Sequence, residues 1–593
     1  MAEIKSTPLL GPTPIRLPRS PWVEAAVRLL ARQAAIESFG APGYGLTLAN
    51  PRAERLAAAP RDLRPPDRNA GRAVLNGRFV FAGETLDAPK PADPWNRPSP
   101  SRAFAVELHR FTWLPDLVTT GDAGAREALR LIFRWRDTFG AWSPFAWSRE
   151  VLPRRVFNLA CAARRLTMVG GPADARAVAE LLGRQARHLM RLPDDPAWAA
   201  EHTTAAAVAG AALEGEAGER LLERALPRLK RAIARTVLSD GCHASRNPEA
   251  GLELLLDLLA LDDGLIQRGR ETPPELVRAL DRLTQALRVL TLADGRLAGF
   301  HGGETSSADR VATARAHDDA EGIAPAYLPR GRYQRLQGKQ LQALVDAGAP
   351  ARGAWAQTAC AQPLAMEIVC GRDRLITNSA WSVRQPDRQG FRLTPAGSTV
   401  TLGESSVLAP LQGRLAGVLG PRLEGPAIRV EARRHETEGA VWVELAHDGW
   451  VPRFGLVHER RFYLDIQADE LRGEDRLTPQ AGLRVRPLAT PYAVRFHLYP
   501  GLQVSLARDR KSVLLRGASG RGWWFRNDAA EVSIEPSIHF EAGAPRKAAQ
   551  IVLRGVARTD SLTRVRWKIA PAGAAPEPMT APAGPQRRAE DAW

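Results

Sequence analysis

Lysine is nearly missing from this chain: of its 82 basic residues only 7 are lysine and 75 are arginine. Cysteine is scarce as well. Cys161, Cys242, Cys360 and Cys370 are too few and too scattered for a disulfide framework, and the absence of any CxxC pair argues against a zinc site built on thiolates. No run of about 20 apolar residues occurs, so no segment is expected to span a bilayer. The opening MAEIKSTPLLGPTPIRLPRS is proline-rich and has no apolar stretch of signal-peptide length, so the chain reads as cytoplasmic. P-loop, GxGxxG, GxSxG and HExxH patterns are all missing, which removes the common nucleotide-binding, hydrolase and zincin signatures.

What is present describes a water-soluble globular chain. Its 593 residues and 64.6 kDa exceed one ordinary core and predict two or three domains. Apolar residues make up 44% and charged residues 25%, an ordinary globular balance. The formal charge is +17, and arginine carries it. A guanidinium is a planar fork that grips carboxylate, sulfate or phosphate with two hydrogen bonds, so the bias fits an anionic partner. A GC-rich genome explains the same bias without any partner. The charge is also dispersed, with 48 basic against 40 acidic residues before position 351 and 34 against 25 after it. With no recognised nucleic-acid module, nucleic acid is not expected as a partner.

Hydrophobic periodicity divides the chain. Leu276, Leu280, Leu283, Leu287 and Leu290 form one helical stripe, and Val178, Leu181, Leu182 and Leu189 nearly repeat it. Leu222, Leu226, Leu229, Ile233 and Val237 form another, in which Pro227 is expected to kink or break the helix. Asp122 reads as an N-cap and Gly140 as a stop for the helix between them. Short connectors imply antiparallel hairpins, and without a fixed sequence repeat a closed toroid is favoured over a solenoid. Beyond about residue 345 short β-rich runs take over, from Thr399–Leu402 through Val441-Trp442-Val443-Glu444-Leu445 to Val565–Ile569. The fold class expected is therefore α+β multidomain: an N-terminal (α/α) toroid over 1–345, a C-terminal antiparallel β-sandwich over 346–570, and a disordered Pro/Ala tail over 571–593. Residues 60–100 read as loop.

Three clusters could carry chemistry. Asp240-Gly241-Cys242-His243-Ala244-Ser245-Arg246-Asn247-Pro248-Glu249 sets a turn before a helix that starts at Pro248, displaying His243, Arg246 and Asn247 where anions are favoured. Turn chemistry and capping account for the same residues. Glu201-His202-Thr203-Thr204 opens an Ala-rich helix, and His447-Asp448-Gly449-Trp450 reads as a hairpin turn. Gly299-Phe300-His301-Gly302-Gly303 reads as a flexible loop with one histidine.

Several blocks together resemble the heparinase II/III family of polysaccharide lyases, in its alphaproteobacterial variety. They are DPWNRPSPSRAFAVELHRFTWLPDL (93–117), SPFAWSREVLPRRVFNLACAARRL (143–166), DGCHASRNPEAGLELLLDLL (240–259), RYQRLQGKQLQALVDAGAP (332–350), HDGWVPRFGLVHERRFYLDIQADELRGEDRL (447–477) and VRFHLYPG (494–501). The resemblance implies a helical toroid followed by antiparallel sheets, and β-elimination at a uronic acid of an acidic polysaccharide. That reaction needs a cation or donor on the uronate carboxylate, a base for the C5 proton and an acid for the departing O4. It implies His243 at the position of the family's catalytic tyrosine, Glu201 where relatives carry asparagine beside the retained His202, and Cys360 in place of a β-domain histidine. It also puts His301 at a usual asparagine and Tyr499 at a second usual histidine.

The expectation is thus a lyase-like protein with His243, His202 and Tyr333 as catalytic residues and Arg246, Asn247, Glu201, His301, His447 and Cys360 lining the substrate cleft. A catalytically degenerate glycan-binding member is the alternative, favoured by Glu201 and Cys360. The family also implies a periplasmic or cell-envelope setting as the alternative to the cytoplasm. A structural zinc in the β-domain, with His447 and His458 as its ligands, is a further implication of the resemblance; the sequence offers no third ligand and leaves the oligomeric state open.

Overall fold

The computed structural model describes residues 21–318, 324–481 and 488–573. Most of the tail expected from Pro571 lies outside them.

The first half is helical. It runs through α1 (Pro21–Gly40), α2 (Tyr44–Thr47), α3 (Arg68–Leu75), α4 (Arg102–His109), α5 (Trp113–Val118) and α6 (Asp122–Phe139). There follow α7 (Leu152–Val169), α8 (Pro172–Leu189), α9 (Ala199–Ala212), α10 (Gly215–Thr236), α11 (Pro248–Gln267), α12 (Pro274–Leu290) and α13 (Ala308–Arg315). Consecutive helices pack as hairpins: α7 on α8, α9 on α10, α11 on α12. Alternate helices also touch, α7 and α11 both lying against α9 on one layer while α10 meets α8 and α12 on the other. The inner position of α9 explains its composition. Its Ala-rich run Ala205–Ala212 is buried on every side, and small side chains let neighbouring helices approach closely.

Local signals differ from the sequence reading in instructive places. Asp122 is the first residue of α6 rather than its cap; Gly121 takes the cap, and the Asp122 carboxylate sits in the first turn where the helix dipole favours it. α10 continues through Pro227 to Thr236. The segment expected as loop over 60–100 holds α3, capped by Asp67, whose side chain accepts from the Asn69 and Ala70 N–H groups. It also holds the hairpin β1 (Arg78–Phe81) with β2 (Glu84–Asp87). Ala82 and Gly83, both at positive φ (52° and 78°), make its two-residue turn. Its many prolines and arginines hide a hydrophobic anchor, Phe79, which is fully buried.

The strands begin with β3 (Tyr327–Leu328), β4 (Tyr333–Gln337) and β5 (Leu341–Asp346), followed by β6 (Met366–Cys370), β7 (Asp373–Thr377) and β8 (Val400–Leu402). A small pair, β9 (Ala409–Pro410) with β10 (Leu423–Glu424), flanks helix α14 (Gly413–Leu419). Then come β11 (Val430–Glu436), β12 (Ala440–His447), the short helix α15 (Val451–Phe454), β13 (Leu456–Asp465), β14 (Glu470–Pro479) and β15 (Ala489–Leu498). The last are β16 (Gln503–Leu506), β17 (Val513–Arg516), β18 (Gly522–Asn527), β19 (Glu531–Glu541), β20 (Ala544–Arg558) and β21 (Thr563–Pro571).

They form two large antiparallel sheets. One has the order β19-β20-β15-β7-β6-β5-β4-β3, with β8 also on β15; the other is β11-β12-β13-β14-β21-β18-β17-β16. A second hydrophobic core unites inward residues of both, including Ile368, Val443, Phe462, Phe496, Phe525, Ile551 and Trp567. The strict alternation of β13, buried at every second residue from Leu456, is the pattern of a sheet with one face in the core and one in water. β5 and β6, in the other sheet, are buried throughout, because one face (Val345, Ile368) packs into the inter-sheet core and the opposite face (Leu344, Val369) packs against the helical half.

Candidate active-site region

The turn between α10 and α11 is built by its own side chains. Asp240 accepts from the Cys242 N–H and also from the Arg330 and Gly331 N–H groups, pinning the segment ahead of β4 to this turn. Asn247 caps α11, its Oδ1 taking the Glu249 and Ala250 N–H groups at 2.9 and 3.2 Å, and Pro248 follows in the first turn. The cap absorbs the Asn247 acceptor. Between them Arg246 adopts a positive φ of 61°, which turns its side chain toward the sheet.

There the guanidinium is consumed. Nε donates to the Gly331 carbonyl at 3.0 Å, Nη1 to the Ala349 carbonyl at 2.7 Å, and Nη2 to the carboxylate of Asp346 at the end of β5. The other Asp346 oxygen meets His301 Nε2 at 2.7 Å. His301 Nδ1 accepts the Cys360 N–H, which fixes the proton on Nε2. Tyr333, wholly buried in β4, donates its hydroxyl to the Arg246 carbonyl, and the Arg246 guanidinium lies 5.3 Å from its ring centroid. Arg246, Asp346 and His301 are at most 6% exposed. Burial alone would raise the Asp346 pKa, but Arg246 and His301 outweigh it and hold the carboxyl below its usual range. Burial lowers His301 and keeps it neutral. The Cys360 thiol is pushed up to about 11 by burial, so it stays protonated.

His243 is the one residue of this group that remains half-buried. Its Nδ1 accepts from the Ser245 N–H and pairs with the Ser245 hydroxyl at 2.7 Å, and its ring meets Trp355 edge-on at 5.3 Å. That leaves Nε2 as its outward edge. Burial lowers its pKa to about 4.

The structure therefore brings His243, Arg246, Asn247, Tyr333, His301 and Cys360 into one connected group. Glu201 and His202 belong to another. His202 donates from Nε2 to the Arg149 carbonyl at 3.2 Å, stacks on Trp198, and is lowered to about 4 by burial. Glu201 is raised by burial and faces Arg154 and Arg110, beside the α11 carboxylates Glu253 and Asp257. Arg64 and Arg154 both pair with Asp257, and Arg64 and Arg310 with Glu253, so these cations are occupied by the protein's own acids.

The loop at 299–303 is buried, and Gly303 lies so close to Asn247 that any Cβ there would collide with it. Asp346 is the residue that sequence reasoning missed. It closes a buried strand, Leu341–Asp346, in which Gln342 is the other polar residue, and that placement was its only signal.

His447 lies far down β12, in the interior of the sheets, where α15 replaces the tight hairpin expected after it. The Gly449 N–H donates to His447 Nδ1, His447 Nε2 pairs with His458 Nδ1 at 3.1 Å, and His458 Nε2 with Asp475 at 2.8 Å. Arg460 and Trp567 take the remaining Asp475 acceptor sites. Every lone pair a zinc ion would need is already a hydrogen-bond acceptor, so these residues do not fit a metal as they stand. Among the described residues no group of three His, Cys, Asp or Glu side chains has metal-binding geometry.

A two-layered helical half joined to two stacked antiparallel sheets is the architecture of the heparinase II/III-like proteins. The chain belongs to the heparinase II/III-like family. The family profile described as "Heparinase II/III-like, C-terminal" matches residues 321–568. FtsZ-localized protein C of Caulobacter vibrioides is 47% identical over 540 residues, covering 90% of this chain and 93% of that protein. Among solved structures, heparinase III aligns at a TM-score of 0.65 and 12% identity, over 93% of this chain and 90% of that one. Heparan sulfate lyase HepC of Pedobacter heparinus aligns at 0.53 and 15%, over 95% and 92%. At such identities these two likenesses concern the fold.

Proposed function

We propose that this chain keeps the lyase scaffold without lyase chemistry and works as a binding protein that associates with FtsZ. One observation carries the first half: Arg246, Asp346 and His301 satisfy one another in the interior. Elimination needs a free cation or donor to neutralise the uronate carboxylate. Arg246 is spent on Asp346 and two carbonyls, Asn247 on the α11 cap, and Tyr333 on a carbonyl. His243 with a pKa near 4 is a weak base for a carbon acid. The second half rests on the 47% identity, across nearly both whole chains, to a protein named for its localisation to FtsZ.

Co-sedimentation of the purified chain with assembled FtsZ tests this half directly. Enrichment in the polymer pellet is the expected result, and equal recovery with and without polymer would refute it.

The outward Nε2 edge of His243 favours a second reading, in which the chain is an acidic-polysaccharide lyase with His243 as base. That reading predicts turnover that His243→Ala abolishes.

A further inference from the structure

The core of the helical half contains a cation with no counter-ion. Arg155, in the first turn of α7, is fully buried and forms no ion pair among the described residues. Its Nε donates to Gln185 Oε1 at 2.7 Å and its Nη1 to the His109 carbonyl at 3.0 Å, while Nη2 has no partner. The guanidinium stacks 4.1 Å from the Trp135 ring centroid, with Phe111 at 5.8 Å. One further buried donor beside it is orphaned, and a second meets only a backbone carbonyl. Gln185 Nε2 belongs to the amide that receives Arg155, while the His188 ring, one turn along α8, is turned toward the Trp147 carbonyl; both side chains are wholly buried. His188 Nδ1 pairs with the Tyr44 hydroxyl at 2.6 Å, so the ring proton sits on Nε2 when Tyr44 donates.

The charges around this point are of one sign. Arg155 and Arg191 face His188, Arg155 faces His109, and no carboxylate acts on any of the three. The N-terminal end of α7 adds its own positive potential. Two unmatched donors, Arg155 Nη2 and Gln185 Nε2, and an uncompensated buried charge leave an acceptor missing, and a buried guanidinium stays protonated rather than giving up its charge.

We infer that a small monovalent anion of the halide class binds between Arg155 Nη2 and Gln185 Nε2, beside the His188 ring. A halide accepts several hydrogen bonds without needing a donor in return, and it neutralises the guanidinium where the fold supplies no acid.

Crystals of the full chain soaked in bromide test the site. An anomalous peak beside Arg155 Nη2 is expected; featureless or water-level density there would overturn the inference. In solution the thermal midpoint should rise saturably, by about 2–4 °C, in chloride relative to gluconate of equal ionic strength. The rise should vanish in Arg155→Met. If that variant does not fold, the bromide experiment on the native chain decides alone. Equal midpoints in both salts, with no bromide peak, would mean that ordered water serves these donors.

Discussion

Asp346 bears one negative charge between two buried groups, the Arg246 guanidinium and the His301 imidazole. Replacing it by asparagine keeps the shape and removes the charge, which strands Arg246 in the interior. Breaking a buried pair from one side costs about 3–5 kcal/mol, so Asp346→Asn should show a clearly lowered denaturant midpoint. An unchanged midpoint would mean that the carbonyls of Gly331 and Ala349 suffice for Arg246. The same residue marks the limit of sequence reading. Arg246 and His301 announce themselves as polar residues in turns, whereas an aspartate closing the mostly apolar strand Leu341–Asp346 looks like a strand end. Only the register of β5 on β4, with Asp346 opposite Tyr333, places it under the turn.

At the scale of elements, α11 is set by one side chain. Asn247 satisfies two N–H groups that the helix itself cannot, so Asn247→Ala should cost about 0.5–2 kcal/mol in unfolding free energy, read by chemical denaturation. Gly473 in β14 has an equally specific role. The Trp567 ring of β21 lies directly over its Cα, and a Cβ would overlap the indole. Gly473→Ala should therefore destabilise the sheet, with loss of the native tryptophan environment in near-ultraviolet circular dichroism; retained stability would show that β21 can shift outward. The long helices were legible because apolar spacing states their period directly, as in Leu276–Leu290. The hairpin of β1 and β2 was not, because its turn is Ala82-Gly83 and its composition is that of a loop. His447 was misplaced as a turn residue for a related reason: Asp448-Gly449 is a turn signal in any context, and the insertion of α15 is set by packing of Trp450, which is buried in the sheet core.

At the scale of the molecule, histidine controls acid stability. Nine of the eleven histidines are lowered in the fold, with burial as the leading cause in each. His109 and His188 are lowered to about 3, and His202, His243, His497 and His539 to about 4. The unfolded chain therefore binds more protons than the folded one below the ordinary histidine value of about 6.5. Stability is complete above about pH 6.5 and is lost as the pH falls toward 4. The thermal midpoint should drop steadily over that window, and a flat profile would contradict the burial of these rings.

The arginine excess finds its place at this scale too. Much of it is spent on the protein's own acids, as at Glu253 and Asp257, so neither nucleic acid nor a polyanionic substrate is needed to account for it. The two-part architecture was legible from the change of period along the chain. The state of the candidate site was not, since a residue's type says nothing about whether its hydrogen bonds are already spent.

The most direct test of a lyase scaffold without lyase chemistry is the ultraviolet absorbance of unsaturated uronate product. The native chain is incubated with heparan sulfate, hyaluronan and alginate in turn. The arrangement of Arg246, Asp346 and His301 predicts no rise in absorbance on any of the three. A sustained rise that disappears in His243→Ala would contradict it and establish the chain as an active lyase.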